Sequence, residues 1–514
     1  MDETRTTGSQ AKNIAAVLST VFWCLFAHGY RFANNMFTHD SLLQIYQDDS
    51  AWQIALGRIF QPVLLFLRGG LCNPWLICFC ALIWYCLTVC LLVDLLKIKS
   101  TVSIVILSGI VVSNLTVTVA NASFLPWVDF FACSLFLSCL GVWLWMKEKG
   151  MPRGGALLCM VGVLGIYQAY ICVTICLFLI LLIQDLQRSM AFKTFSMKAI
   201  KAAGILVVAA ACYFLIWKGF LALFGIWTAD TYNGMASVGD YSGTSVGTLL
   251  LLTYRHVFQF FWNPDTFVTM MFKGTSLSVV WKYILRLSNV MVMLALLYEL
   301  FQANKRNRTA WWQWSLQIIL LSLFPLGMNF TCFISKGMVH SLMTYAFIMP
   351  YIFLIAMVGQ KQEQADKRWK QIITWGCVLS IIWSGTVYAN QVYLKKSLQE
   401  QSAQSLMTRI VADIEDMESY VPGETPVAFV GSFENSPYME QTLKGFGEIV
   451  PYGTGNTALT YVGTDYALLQ FEWNVQMNLT RVDSDTKEIR QMPTYPKKGS
   501  IGYVDDVLIV KISE

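Results

Sequence analysis

A short polar segment between two apolar runs contains the side chains of this chain that are best suited to chemistry. His39 and Asp40 lie near its start, Asp48 and Asp49 follow, and Arg58 closes it. A charge moved toward the hydrocarbon of a membrane costs about 3 kcal/mol or more, so acids at that boundary indicate a functional role. A carboxylate can take a proton as a general base, and a guanidinium can bind phosphate oxygens in a bidentate manner. We therefore interpret this segment as a candidate active site.

These side chains also have structural interpretations. Asp40 could cap an interfacial helix that begins with Ser41. Arg58 could form an ion pair with Asp48 or Asp49 instead of binding a phosphate. The residue types are compatible with both the functional and the structural interpretation, so we next consider the elements that surround the segment.

The composition is that of a protein that crosses a membrane many times. Of the 514 residues, 55% are apolar and only 13% are charged, and the mean hydropathy is +0.51. The 14 cysteines lie in apolar runs without the spacing of a metal site or a disulfide framework, which predicts buried thiols. The net charge of +5 is better explained by membrane topology than by binding of nucleic acid.

Basic residues at the segment ends predict the orientation, because loops rich in lysine and arginine remain in the cytoplasm. Arg5 and Lys12 place the N-terminus inside, so the segment with Asp40 is expected outside. Residues 60–71 are too few to cross and predict an interfacial helix. The predicted crossings number eleven and comprise residues 14–30, 74–93, 101–120, 128–146, a hairpin within 154–184 that counts as two, 202–227, 277–301, 311–330, 341–358 and 371–393.

The hairpin follows from the spacing of two basic patches. Only about thirty apolar residues separate them, whereas two full crossings need about forty. A short hairpin or a re-entrant pair places both patches in the cytoplasm, with its apex near Tyr167 and Gln168. Non-helical backbone at such depth is stable only when it packs in protein or lines a cavity.

Further charged candidates lie in the other outer segments. Asp129 follows a tight turn at residues 121–127, and it is either a second catalytic acid or a helix cap. Arg255 lies in a long polar segment, residues 228–276, which is expected to be a loop. Lys336 and His340 are also expected on the outer side.

The composition changes after Leu394 to that of a small soluble domain. We predict a membrane domain at residues 1–394 and an extracytoplasmic α/β domain at 395–514. The patterns predict helices at 395–418 and from Ser436, and strands at 426–431 and 507–512. Acids at 483 and 485 and glycines at 453 and 455 imitate nucleotide-binding motifs, but their context predicts turns.

Several short motifs occur along the chain in a fixed order. They are YRFANN at 30–35, HDSL at 39–42, GR at 57–58, YQAY at 167–170, HSLMTY at 340–345 and a C-terminal series within 495–511. Together they resemble the bacterial GtrII-type glucosyltransferase family. Ile59 departs from the family pattern, which has tryptophan after Gly-Arg, and the second acid is doubled as Asp48 and Asp49.

The resemblance implies a polytopic enzyme of the GT-C class in the bacterial cytoplasmic membrane. Such enzymes take glucose or a related hexose from a polyprenyl-phosphate carrier and attach it to a surface glycan outside. The resemblance places the catalytic base on Asp40. The acceptor hydroxyl has to lose a proton and the departing phosphate has to be stabilised, which suits Asp40 and Arg58. The other cations expected near the donor phosphate are Arg255, Lys336 and His340.

Two questions stay open in the sequence. Tyr167 and Gln168 could stabilise the hairpin by hydrogen bonds or could contact the sugar. The outer carboxylates could bind a divalent cation or act without one, and no residue is assigned as a metal ligand.

Two other functions are compatible with a polytopic chain. A flippase for lipid-linked saccharides would carry charges along a central path and commonly shows repeated halves, and we find no internal repeat. A membrane anchor for the C-terminal domain would not need the acidic segment. A glycosyltransferase acting on membrane lipid and surface glycan is therefore the favoured interpretation.

Overall fold

The architecture is mostly helical, with a small sheet near the C-terminus. The computed structural model describes residues 3–36, 49–147, 151–228, 245–262, 279–360, 368–431 and 474–513. His39, Asp40 and Asp48 lie outside the described residues, as do the predicted helix start at Ser436 and the glycines at 453 and 455.

Seventeen α-helices lie within the described residues. They are α1 (Glu3–Ala33), α2 (Ser50–Ala55), α3 (Gln61–Leu67), α4 (Pro74–Leu95), α5 (Thr101–Val112), α6 (Leu115–Ser123), α7 (Val128–Trp145), α8 (Met151–Ile166), α9 (Ile171–Gln187), α10 (Phe192–Phe224), α11 (Val246–Trp262), α12 (Val279–Asn307), α13 (Trp311–Met328), α14 (Thr331–Ile334), α15 (Met349–Gly359), α16 (Arg368–Glu415) and α17 (Lys487–Gln491).

Seven of the described helices are long and apolar enough to cross a membrane, or eight if the bent pair α5–α6 counts as one. A spanning helix needs about 20 apolar residues, and these candidates meet that length. Two shorter apolar helices, α8 and a segment at Tyr345–Gly359, lie among them. The protein is therefore a multi-span membrane protein. All 14 cysteines are free and buried or half-buried, as predicted.

The crossing predicted at residues 101–120 is interrupted. The axes of α5 and α6 differ by 42°. Asn114 at the break has extended backbone angles, and its side chain accepts a hydrogen bond from the Val117 amide, which starts a new helix. Gly385 of α16 packs against the break, where an added Cβ would lie 2.3 Å from the Ser113 carbonyl oxygen.

The predicted hairpin apex coincides with a helix break. Tyr167 is extended, and a 3-10 turn at Gln168–Tyr170 joins α8 to α9. These helices have 16 and 17 residues, so each is about 25 Å long. The apex packs against the segment before α3, because the Phe60 amide donates to the Gly165 carbonyl at 3.0 Å. The helix at the predicted interfacial segment is the seven-residue α3.

The prediction of a loop throughout residues 228–276 is wrong, because α11 occupies residues 246–262. Its buried residues are Leu249, Thr253, His256 and Val257. This spacing places them on one face of a helix, and the periodicity outweighs the polar residues between them.

The predicted crossing at 371–393 and the predicted helix at 395–418 are parts of one continuous helix, since α16 runs for 48 residues through Leu394. No proline interrupts the sequence between residues 368 and 415. Such a helix is about 72 Å long, which greatly exceeds the thickness of a bilayer. The C-terminal part of α16 therefore extends well beyond the apolar part of the same helix, which is the part long enough to cross the bilayer.

The described C-terminal strands form one mixed sheet. They are β1 (Pro426–Val430), β2 (Asn478–Leu479), β3 (Ile501–Val504) and β4 (Val507–Lys511) in the order β2-β1-β4-β3. β1 is parallel to β2 and β4, and β3 is antiparallel to β4. Strands lie at both predicted positions, 426–431 and 507–512, and the structure shows that they are neighbours. Apolar residues of α16, including Leu406 and Ile410, pack against Val427 and Leu508.

The contact between α16 and the α5–α6 break generates a stability prediction. We expect Gly385→Ala to lower the melting temperature, because overpacking against fixed backbone costs about 1–3 kcal/mol. Gly376→Ala is the matched control in the same helix, since an added Cβ there meets nothing within 4 Å. Thermal unfolding of the purified proteins in detergent measures the melting temperature of each variant. Equal melting temperatures for the two variants would contradict the close contact.

Candidate functional site

Four of the predicted site residues line one cavity, which we call the Arg58 cavity. Its walls include Arg58, Tyr167, Gln168 and His340. The remaining lining residues are Leu56, Ala169, Thr331, Ile334, Ser335 and Met343. The cavity volume is about 40 Å³, enough for one or a few waters. The structure therefore brings together residues from the GR, YQAY and HSLMTY motifs.

The backbone conformation and the close packing of residue 57 explain why a glycine precedes Arg58. The φ of Gly57 is +77°, a left-handed conformation that favours glycine. The Tyr213 hydroxyl donates to the Gly57 carbonyl at 2.9 Å. A Cβ at Gly57 would lie 2.2 Å from that hydroxyl oxygen and 2.9 Å from the Gln168 amide nitrogen. Only glycine fits this contact, and the contact sets the position of Arg58.

Arg58 is held by neutral groups. Its guanidinium donates to the Gln53 side-chain oxygen at 3.1 Å and lies over the Tyr167 ring, 5.1 Å from the centroid. The Arg58 side chain is half-buried and borders the cavity. Within the described residues it has no carboxylate within 4 Å.

Gln53 connects Arg58 to an acid. Its side-chain nitrogen donates to the Asp49 carboxylate, while its oxygen accepts from Arg58. For Asp49, the alternative of a direct ion pair with Arg58 is thus replaced by an amide bridge, and Asp48, the other acid considered, lies outside the described residues. Sequence reasoning missed Gln53, although its position four residues after Asp49 predicts contact on one helical face.

Gln168 has a clear structural role at the apex. Its side-chain nitrogen donates to the Leu56 carbonyl at 3.1 Å and to the Tyr213 hydroxyl at 2.9 Å. These bonds tie the helix break to the segment that carries Arg58. Tyr167 packs against the Phe131 ring, with centroids 4.6 Å apart. The interpretation that hydrogen bonds stabilise the apex therefore holds for Gln168, whereas contact with the sugar stays a prediction for both residues, which line the cavity.

His340 faces the same cavity in a neutral environment. Burial, and then the positive charge of Arg58, lower the pKa of His340 to about 4. Within the described residues, its buried Nδ1 has no hydrogen-bond partner. At neutral pH the imidazole is therefore uncharged. It can exchange a hydrogen bond with a bound molecule, but it does not add a second positive charge beside Arg58.

Asp129 takes part in a separate, buried ion pair. Its carboxylate lies 2.5 Å from the Arg68 guanidinium, and the two side chains are only 7% and 4% exposed. Arg68 also donates to the carbonyls of Leu71 and Pro126, at 3.0 and 2.8 Å, and lies over the Phe130 ring. The pair joins the end of α3 to the start of α7. Sequence reasoning missed Arg68 as the partner of Asp129, and Asp129 is not part of the wall of the Arg58 cavity.

Two other predicted cations also lie away from the cavity wall. Arg255 is exposed on α11. Lys336 lies in the turn after α14, where it and Gly337 both have positive φ. Neither residue lines the Arg58 cavity.

A cluster of buried cations was also missed. Arg31, Lys395 and Lys396 have no exposed surface, although burial of a charge is costly. The Arg31 guanidinium donates to the carbonyls of Asn121 at 2.9 Å and Met36 at 2.8 Å. The YRFANN motif contained the signal for Arg31, but only the fold shows that it meets α16.

These contacts anchor both ends of the segment that carries Asp40. Met36, the last described residue before it, is held by Arg31, and Asp49, the first residue after it, is held by Gln53. The Arg31 guanidinium therefore borders the acidic segment on its N-terminal side, and the Gln53 amide borders it on its C-terminal side. Within the described residues no group of three or more His, Cys, Asp or Glu side chains could hold a metal ion.

Comparison with known proteins gives a family match over the part of the chain that contains these residues. The family described as glucosyl transferase GtrII matches residues 29–351, which is more than half of the 514 residues. No curated protein and no solved structure matched the chain in the corresponding comparisons. The matched range includes the acidic segment, Arg58, the helix break at Tyr167 and His340. The chain therefore belongs to the GtrII family of glucosyl transferases.

Proposed function

We propose that this protein transfers glucose or a related hexose from a polyprenyl-phosphate carrier to a cell-surface polysaccharide. Membership of the GtrII family supports glucosyl transfer. The observation that carries the proposal is the Arg58 guanidinium, which borders a cavity and is held by the neutral Gln53 amide. A cation that no described carboxylate neutralises is suited to stabilising a departing phosphate.

The proposed reaction is a single displacement with inversion. Asp40 takes the proton of the acceptor hydroxyl, whose oxygen forms a bond to the anomeric carbon. The bond between that carbon and the phosphate oxygen breaks, and polyprenyl phosphate leaves. Negative charge collects on the phosphate, where Arg58 stabilises it. Asp49, or Asp48 beside it, orients Arg58 through Gln53.

We propose that this chemistry takes place on the outer side of the cytoplasmic membrane. The N-terminus lies inside, and the basic loops remain in the cytoplasm. The bent pair α5–α6 counts as one span, which makes eight candidates, and the apolar helices α8, α13 and α15 also cross, so the crossings number eleven. The C-terminal domain then follows α16 on the same side as Asp40.

The identity of the sugar donor distinguishes this proposal from its alternatives. We expect purified protein in sealed proteoliposomes to transfer hexose from a polyprenyl-phosphate sugar to an impermeant glycan added on the side of the C-terminal domain. UDP-glucose without carrier lipid gives no product, because the donor must enter from the membrane. Mass spectrometry of the glycan measures transfer. Efficient use of UDP-glucose alone would overturn the mechanism, and movement of the lipid-linked sugar without transfer would support a flippase instead.

The role of the base is tested by Asp40→Asn, which keeps the side-chain size and the capping ability but removes basicity. We expect transfer to fall about a hundredfold or more while the membrane yield stays near normal. Asp483→Asn is the matched control, because Asp483 is exposed and its side chain accepts a bond from the Asp485 amide that asparagine can keep. Near-normal transfer by the Asp40 variant would exclude Asp40 as the base.

The role of Arg58 is tested by Arg58→Lys, which keeps the charge but loses the planar fork that spans Gln53 and a phosphate. We expect kcat/KM for the lipid-linked donor to fall about tenfold or more. Arg255→Lys serves as control, since Arg255 is exposed and does not line the cavity. A larger loss of kcat/KM for Arg255→Lys than for Arg58→Lys would place the phosphate site at α11 and not at the Arg58 cavity.

A further inference from the structure

A second, larger cavity lies at the other end of the helices, and we call it the basic cavity. Helix α9 begins beside the Arg58 cavity and ends at Gln187, which lines the basic cavity, so the two are about 25 Å apart. The basic cavity has a volume of about 830 Å³ and lies where α9, α12, α15 and the start of α16 meet.

Positive charge dominates the lining of the basic cavity. Its basic residues are Lys99, Arg188, Lys305, Arg306 and Lys370. Glu299 is the one acid among the described lining residues. Lys370 donates to the Tyr298 hydroxyl at 2.9 Å, and Arg188 lies 4.0 Å from the Asp185 carboxylate. Five cations against one lining acid make this wall suitable for an anion.

Two buried amides provide an independent indication of a ligand. Gln184 and Gln187 line the basic cavity and are only 5% and 4% exposed. Within the described residues, the side-chain nitrogen of each has no hydrogen-bond partner. A buried donor without a partner costs about 1–3 kcal/mol. Their three-residue spacing on α9 places both on one face, where two oxygens of a single phosphate can accept from them.

The neighbouring residues are already satisfied and leave these donors for a ligand. The Asn307 side chain donates to the Gln187 carbonyl at 2.7 Å. Asn304 and Gln317 exchange two hydrogen bonds with each other, at 2.9 and 3.0 Å. These three neighbouring amides are thus paired, whereas within the described residues the side-chain nitrogens of Gln184 and Gln187 are not.

The other part of the wall is apolar. Ala295, Met357 and Val358 line the same cavity as the cations. Tyr298, which lines the cavity, and Trp369, which precedes the lining residue Lys370, are both exposed. A ligand with a phosphate head and a hydrocarbon tail matches this combination, and basic pockets between membrane helices bind such head groups.

We propose that the basic cavity binds the phosphate head group of an anionic membrane lipid. The phosphate oxygens accept hydrogen bonds from Gln184 and Gln187 and contact the lysines and arginines around them. The acyl chains leave along the apolar wall of α12 and α15. This site is separate from the proposed transfer reaction and does not depend on it.

The test measures lipid binding directly, without a sugar donor. Purified protein in neutral detergent is titrated with phosphatidylglycerol or with phosphatidylcholine of the same chains, and bound lipid is counted by native mass spectrometry. We expect phosphatidylglycerol to bind about tenfold or more tightly, because each nearby cation adds attraction for an anionic lipid. Equal binding of the two lipids would overturn the proposal.

Two double variants connect the binding to the cavity. We expect Lys305→Gln with Arg306→Gln, and separately Gln184→Leu with Gln187→Leu, each to weaken phosphatidylglycerol binding about fivefold or more. Lys12→Gln with Lys193→Gln is the control, because it removes two charges that do not line the cavity. An equal loss in the control would show non-specific attraction and overturn the site.

Inorganic phosphate distinguishes a lipid head group from a free ion. We expect millimolar phosphate to leave phosphatidylglycerol binding unchanged, because the apolar wall contributes only to a lipid. Complete displacement by phosphate would identify a site for the soluble ion and overturn the lipid assignment.

Discussion

The contact between Gly57, Tyr213 and Gln168 is the constraint on which the candidate site depends. The Gly57 carbonyl accepts from Tyr213, whose hydroxyl also accepts from Gln168. This contact joins the segment after α2, the helix break between α8 and α9, and the long helix α10. It requires a residue without Cβ, since a Cβ would lie 2.2 Å from the hydroxyl oxygen. The contact therefore fixes the backbone next to Arg58, whose guanidinium lies over the Tyr167 ring.

Burial of charge organises the rest of this end of the molecule. The Arg31 guanidinium donates hydrogen bonds to backbone carbonyls, and Arg68 forms an ion pair with Asp129 and also donates to backbone carbonyls. An unsatisfied charge in an apolar environment is very costly, so each of these groups fixes the chain segments that supply its partners. The Asn121 carbonyl that Arg31 binds lies in the last part of α6, the helix that begins after the 42° break.

The sequence predicted the features that depend on local information. Runs of apolar residues marked the helices, basic patches marked the hairpin, and the Tyr167–Gln168 apex was found from their spacing. It missed α11, whose helical period is masked by polar residues, and the continuity of α16 through Leu394. It also missed the partners of Asp129 and Arg58. Contacts such as Arg68 with Asp129 join residues far apart in sequence, and no local pattern contains them.

Two arginines ten positions apart illustrate how structure and function separate at this site. Arg68 is almost fully buried, and Asp129 cancels its charge, so its position is fixed and no charge is left for a ligand. Arg58 is half-buried, and the groups that hold it, the Gln53 amide and the Tyr167 ring, are neutral. His340 beside it is also neutral, because its pKa is about 4. A cation held by neutral groups keeps its electrostatic field for an incoming anion, whereas an ion pair does not. This difference in partners, and not the residue type, makes Arg58 the side chain suited to a phosphate.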